Sequence, residues 1–224
     1  MLPLVINPML AQKAEAPFNS AQHLFEIKWD GIRCLAVIEG RRVRLQSRQL
    51  TEITFQFPEL ASLGQLSSGT MLDGELVVLH EGKPSLRHIQ QRAPLQNRQR
   101  IQHLSQRTPV TYMVFDLLYL KGKPLMASPL SLRRAALQNL MEWLHLPGIL
   151  VSETIHQHGC QLFAQVLRLG LEGILAKRLD GPYLPGKRSG YWLKIKPRLA
   201  PSNLHLPRPL IGPDQIMKST HDKN

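Results

Sequence analysis

The sequence predicts an α+β fold in which antiparallel sheets are flanked by helices. Three observations lead to it. Strand-length runs of alternating or near-continuous apolar residues recur along the chain. Turn dipeptides and short links join successive strands, the connection natural to antiparallel neighbours. Amphipathic helical stretches lie between these runs, and 224 residues that are 43% hydrophobic and 20% charged supply a self-supporting core.

Residues 1–23 read as an extended lead-in, because Pro3, Pro8 and Pro17 block long helices. Residues 24–28, 33–38 and 42–47 read as strands of a meander, turned at Asp30-Gly31 and Glu39-Gly40. In the first strand Leu24, Glu26 and Lys28 face one way and Phe25 and Ile27 the other, the pattern of a half-buried strand. Residues 51–57 form a connection. Phe57-Pro58-Glu59-Leu60 then opens a short helix with Leu60, Leu63 and Leu66 at helical spacing.

Residues 71–79 form a near-continuous apolar strand carrying Asp73 and Glu75, acids that are costly there unless they meet cations or a metal. Residues 84–106, rich in Gln and Arg, read as one or two helices with a basic outer face. Residues 110–118 are another buried strand, and 131–144 an amphipathic helix with Ser131 as N-cap. A helix over 161–169 is closed by Gly170. Strands over 171–177 and 191–196 are separated by a Pro/Gly/basic loop from Asp180 to Gly190. Beyond Pro197 the pattern dissolves, so residues 1–199 read as one domain and 200–224 as a basic and polar tail.

Composition narrows the function classes. The formal net charge of +12 favours polyanions such as nucleic acid, nucleotides or an acidic membrane face. Cys34 and Cys160 lack C-x-x-C spacing, so they suggest neither a zinc site nor a disulfide framework, and both read as small buried thiols. No apolar run approaches the roughly 20 residues of a membrane span, and the N-terminus lacks the basic segment of a signal peptide. The expectation is a soluble, cytoplasmic protein with no membrane partner.

The chemistry gathers around Phe25-Glu26-Ile27-Lys28-Trp29-Asp30-Gly31-Ile32-Arg33. Lys28 ends a strand beside a tight turn, and a lysine attacks only as the neutral amine, which neighbouring cations or burial favour. Ser47-Arg48, Asp73 and Glu75, Phe115-Asp116, Glu172-Gly173 with Lys177, and the alternating Lys194 and Lys196 complete the set. Together they suit a nucleoside triphosphate: cations for phosphates, carboxylates for a hard divalent ion, and an aromatic ring for a base. Asp30 reads equally as a turn former, and Asp73 and Asp116 as satisfied buried acids. Arg133-Arg134 reads as a solvated or structural helix face, and His156 and His158 as surface histidines. Glu172 and Lys177 differ in parity, so a regular strand would send them to opposite faces. Either the strand bulges between them or one of them reaches from its end.

The order of these segments resembles the nucleotidyltransferase (adenylation) domain of ATP-dependent DNA ligases, closest to the bacterial end-joining type. Residues Glu26 to Arg33 are similar to the motif whose lysine takes AMP. Ser47-Arg48 with Thr54 and Phe57-Pro58-Glu59-Leu60, then Leu72-Asp73-Gly74-Glu75-Leu76 and Phe115-Asp116-Leu117-Leu118, follow in family order. Glu172-Gly173-Ile174-Leu175-Ala176-Lys177-Arg178 and Ser189-Gly190-Tyr191-Trp192-Leu193-Lys194-Ile195-Lys196 complete it. The likeness covers roughly residues 8 to 197, and six motifs in order are far more specific than any one.

The resemblance implies an ATP-grasp-like nucleotidyltransferase fold and a role for each residue. Lys28 would be the covalent nucleophile, with Glu26 (through its backbone) and Ile27 beside the adenine and Phe115 stacked on it. Arg33 and Arg48 would meet ribose, phosphate or the DNA 5′-phosphate. Glu75 would bind ribose or metal and Glu172 the metal, while Lys177, Lys194 and Lys196 would hold the triphosphate. ATP and Mg²⁺ (or Mn²⁺) are the implied cofactors. Nicked double-stranded DNA is the implied substrate, in repair or recombination, on the nucleoid if the source is bacterial. Family members follow this domain with an OB-fold that clamps DNA. The 200–224 tail is too short for one, so an OB-fold or end-joining partner protein is expected to supply that part. An RNA ligase or capping-type nucleotidyltransferase is the alternative enzyme, and a non-catalytic nucleic-acid-binding remnant the alternative of another class.

Overall fold

The computed structural model describes residues 2–3, 5–142 and 144–197. The tail expected over 200–224 lies outside the described residues. In chain order the strands are β1 (Leu10–Lys13), β2 (Ser20–Ile27), β3 (Ile32–Glu39), β4 (Arg42–Ser47), β5 (Thr70–Val77), β6 (Leu79–His80) and β7 (Lys83–Pro84). They continue as β8 (Thr111–Leu120), β9 (Lys123–Pro124), β10 (Ile149–Val151), β11 (Ile155–Gln157), β12 (Ile174–Arg178) and β13 (Arg188–Ile195). The helices are α1 (Leu86–Gln90), α2 (Arg98–Arg107), α3 (Leu130–Glu142) and α4 (Gly159–Arg168), with 3₁₀ turns at Thr54–Gln56 and Pro58–Gln65.

Two sheets carry the fold. The first runs β1-β13-β12-β2-β11 and the second β10-β8-β5-β3-β4, with β9 paired to β8. Pairing is antiparallel except at two edges, where β1 runs parallel to β13 and β10 parallel to β8. The expected α+β class therefore holds.

The expected meander does not hold across its first turn. β2 belongs to the first sheet and β3 to the second, so the chain crosses between sheets over residues 28–31. β3 and β4 do form the expected hairpin, pairing from Cys34↔Ser47 to Glu39↔Arg42. A Cβ at Gly31 would overlap the Leu76 carbonyl oxygen, so the crossover hugs β5 in a way only glycine permits.

Burial also departs from the half-buried pattern. Phe25 and Ile27 pack with Leu162 and Val166 of α4, while Leu24 and Glu26 on the opposite face are buried as well. A helix covers one face of β2 and the rest of the domain closes over the other. The N-terminal lead-in is extended as expected yet belongs to the core: Leu2, Ile6 and Met9 pack with Leu35 and Phe115 of the second sheet, Trp192 of the first, and Tyr183 from the loop before β13. The Gln46 amide nitrogen donates to the Ile6 carbonyl at 2.6 Å, fastening that segment across β4.

Three arginines from the helical stretches lie inside. Arg92, between α1 and α2, pairs with Glu59, donates to the Gln56 carbonyl at 2.6 Å and lies 4.8 Å from the Phe57 ring. Arg133 on α3 donates Nε to Asp116 Oδ1 at 2.8 Å and NH2 to Oδ2 at 2.9 Å. Arg134 donates to the Phe115 and Ser152 carbonyls. The second reading of the Arg133-Arg134 pair, a structural face, is the one observed. Ser131 sits inside α3, after its first residue Leu130, so it is not the N-cap. Cys34 is buried but Cys160 is only half-buried, and both are free thiols. Among the described residues no helix is long and apolar enough to cross a membrane.

Candidate active site

The crossover opens into a cavity of about 620 Å³ between the sheets, a size suited to a nucleotide-scale ligand. The first sheet contributes Glu26, Ile27 and Lys194 to its wall. Lys28 stands on the crossover itself, and the second sheet adds Arg33, Glu75 and Phe115. Arg48, exposed in the turn after β4, closes the rim. Eight of the eleven residues expected at the site therefore share one cavity, and Glu172, Lys177 and Lys196 do not line it.

Lys28 is held from two directions. Its backbone N–H donates to the Gly173 carbonyl at 2.9 Å, and its ammonium pairs with the Glu172 carboxylate. The other Glu172 oxygen takes the Lys196 ammonium, so one carboxylate clasps two lysines just outside the cavity. Burial works to raise the Glu172 pKa, but Lys196 and Lys28 outweigh it and hold the group below the usual carboxylate range. The parity conflict resolves simply. β12 begins at Ile174, and Glu172 reaches in from before the strand. Gly173 has φ +143°, and a Cβ there would overlap the Ile195 carbonyl, so glycine makes this approach.

Lys177 departs from its expected company. It does not join Lys194 and Lys196 on a triphosphate face; it is fully buried and pairs with Glu26. Its ammonium lies 4.0 Å from the Phe115 ring centroid and 4.3 Å from that of Trp192. Burial lowers its pKa against the opposing pull of Glu26. A cation enclosed by two rings and a carboxylate has no exposed surface for phosphate. Glu26 differs too. It lines the cavity and is buried, and its Oε2 has no hydrogen-bond partner among the described residues.

The acids divide into satisfied and unsatisfied sets. Asp73 accepts from Arg33 Nε at 2.6 Å, Arg33 NH2 at 2.7 Å and the Tyr183 hydroxyl at 2.7 Å. Asp116 is spoken for by Arg133. Both are the satisfied buried acids anticipated as one reading. Burial pushes Glu75 up to about 7, with Asp73 and Glu172 adding to it and Arg33 and Lys28 opposing. Burial and the nearby Glu172 raise Asp30. Burial lowers Lys194, and the surrounding Arg188, Lys196, Lys28 and Arg48 charges add to the effect.

A carboxyl raised from 4.5 to about 7 binds its proton more tightly in the folded chain than in the unfolded one. Its contribution to stability is thus fully present below pH 4.5 and is lost as the pH rises through 7. The stability of the parent relative to Glu75→Gln is expected to fall across that window, read from denaturant midpoints at several pH values. A difference independent of pH would contradict the shift.

Two features escaped sequence reasoning. Trp29 Nε1 donates to Ser152 Oγ at 3.1 Å, anchoring the crossover beside Lys28. Tyr183 supplies the Asp73 hydrogen bond from the loop between β12 and β13; a lone aromatic amid Pro and Gly was the available signal. Among the described residues, no three His, Cys, Asp or Glu side chains converge as a metal cage. Magnesium does not require one, since it is held by one or two carboxylates together with substrate phosphates. Glu172 and Glu75 offer hard oxygen donors of that kind.

Two mixed sheets thus close on a cleft, with one lysine at the crossover and further cations lining the same cavity. The chain belongs to the ATP-dependent DNA ligase domain family, whose model matches residues 8–196. It is 35% identical over 207 residues to the DNA ligase of Thermococcus onnurineus, covering 87% of this chain and 36% of that protein. It is 36% identical over 195 residues to the multifunctional non-homologous end joining DNA repair protein LigD of Mycobacterium tuberculosis, covering 85% of this chain and 24% of that one. The chain thus spans about a third and a quarter of these two relatives. The structure of a mycobacterial DNA ligase D complexed with ATP and MES superposes with a TM-score of 0.72 at 34% identity, over 85% of this chain and 60% of that one.

Proposed function

We propose that this chain performs the nucleotidyl-transfer chemistry of DNA ligation through a lysyl-AMP intermediate. The neutral Lys28 amine attacks the α-phosphorus of ATP. The new P–N bond replaces the bond from phosphorus to the bridging oxygen, and pyrophosphate leaves. The 5′-phosphate of a nicked duplex then takes AMP from Lys28, and the 3′-hydroxyl displaces AMP to close the nick. The observation that carries this reading is the position of Lys28 on the crossover, at the cavity wall, with Lys194 at the same wall and Lys196 across Glu172.

The ammonium of Lys28 must leave Glu172 and lose its proton before it can attack. Lys194, Lys196 and Arg48 stand where they would offset charge on the phosphates. Arg33 presents its guanidinium to the sugar or phosphate. Phe115 offers a face to adenine, with Ile27 and the Glu26 carboxylate beside the base and the Lys177 ammonium behind it. Glu172 and Glu75 would hold Mg²⁺ or Mn²⁺, which when bound polarises phosphoryl oxygens and screens their charge. The +12 charge suits a DNA backbone, and an OB-fold or end-joining partner would enclose the duplex. A cytoplasmic setting, on the nucleoid in a bacterium, accompanies this reading.

The test combines the chain, Mg²⁺, ATP and a nicked duplex labelled at the 5′-phosphate. A 5′-adenylated strand followed by sealed product is expected. Transfer of GMP, or preference for nicked RNA, would move the assignment to the RNA ligase or capping class. Salt-sensitive DNA binding without any nucleotide adduct would move it to a non-catalytic binding module.

A further inference from the structure

Beneath the cleft floor, a short chain of hydrogen bonds runs from the loop after β12 to the cavity wall. Tyr183 is 2% exposed, and its hydroxyl donates to Asp73 Oδ2 at 2.7 Å while accepting the Met9 backbone N–H at 2.9 Å. Asp73 is fully buried and grips Arg33 by two nitrogens, Nε at 2.6 Å and NH2 at 2.7 Å. NH2 also donates to the Met9 carbonyl at 3.3 Å. The remaining nitrogen, NH1, has no hydrogen bond among the described residues. The guanidinium carbon lies 4.7 Å from the Phe115 ring centroid, at the cavity wall.

We propose that Tyr183 is a positioning residue for nucleotide binding: through Asp73 it fixes the rotation of the Arg33 guanidinium, so that NH1 is presented to the bound nucleotide beside Phe115. The geometry of the fork carries the inference. A carboxylate gripping Nε and NH2 determines the guanidinium plane, and with it the direction of NH1. The carboxylate can hold that plane only if its own rotation is fixed, and the Tyr183 hydroxyl is its one side-chain partner besides Arg33 among the described residues. Tyr183 is in turn wedged edge-on to Trp192, at 5.6 Å between centroids, and Trp192 edge-on to Phe115 at 6.0 Å. The same tyrosine thus braces both the arginine and the ring it lies against. The assignment rests on the nucleotide reading of the cavity but is independent of the covalent step.

Binding of α,β-methylene-ATP tests it, because the bridge of that analogue cannot be cleaved and turnover is not needed. Titration calorimetry on the full chain would compare the parent with Tyr183→Phe, Arg33→Lys and the double variant, with thermal midpoints measured in parallel. Tyr183→Phe is expected to raise Kd about three- to tenfold, Arg33→Lys by at least as much, and the double variant no more than Arg33→Lys alone. Should Tyr183→Phe fold poorly, the titrations are run well below its thermal midpoint, where the folded variant is expected to give the same Kd shift and the same non-additivity. Additive effects, an unchanged Kd in Tyr183→Phe, or a parent that does not bind the analogue would each overturn the proposal. Non-additive binding without a lysyl adduct from ATP would uphold Tyr183 and reject only the covalent mechanism.

Discussion

Lys28→Ala is expected to abolish covalent AMP, cutting adduct formation by at least about a thousandfold, roughly 4 kcal/mol of barrier. The reason is chemical, since no other lysine occupies the crossover. Lys194 lies on β13, Lys196 is tied to Glu172, and Lys177 is sealed between Phe115 and Trp192. Stability should hardly change. The Lys28 side chain is 24% exposed, and such ion pairs contribute about 0–1 kcal/mol. Glu172 also retains Lys196 as a partner in the variant. Labelled ATP and a gel report the adduct, and a melting curve reports the fold. A loss of adduct accompanied by a collapse in melting temperature would point to structure and away from the nucleophile.

Arg133→Met should have the opposite signature, a large loss of stability. Both partners of the Arg133–Asp116 pair are fully buried, and the guanidinium also serves the Ser128 and Gly181 carbonyls at 2.6 and 3.0 Å. Removing it strands a buried carboxylate and takes away the partner of both carbonyls, at a cost of about 3–5 kcal/mol. For a domain of this size that lowers the melting temperature by roughly 6–20 °C. Replacing the pair as a whole, Asp116→Leu with Arg133→Met, should recover much of the loss, because a buried pair exchanged for apolar side chains is often near neutral. Equilibrium denaturation of the two variants decides it. A single variant within 1 kcal/mol of the parent would contradict the assigned role.

Much of this was legible in the sequence, for identifiable reasons. Period-two runs and turn dipeptides disclose strands, and six short motifs in order point to the candidate site, eight of whose residues share the cavity. Period two reports which face a side chain takes but not which sheet a strand joins. The break between β2 and β3 was therefore invisible, although it creates the cleft. The carboxylate partners of the buried arginines were hidden for a related cause. Arg92, Arg33 and Arg133 find their carboxylates 33, 40 and 17 residues away. A guanidinium in a polar helix reads as solvated until such a distant partner is known. Lys177 needed more still, because its enclosure depends on Phe115, Trp192 and Glu26 arriving from three other strands.

Peptide mapping by mass spectrometry after incubation with ATP and Mg²⁺ bears most directly on whether the crossover lysine carries the nucleotide. One AMP per chain is expected, attached through phosphorus to Lys28 Nζ and released by acid, as a phosphoramidate should be. An unmodified chain, or AMP on any lysine other than Lys28, would contradict it.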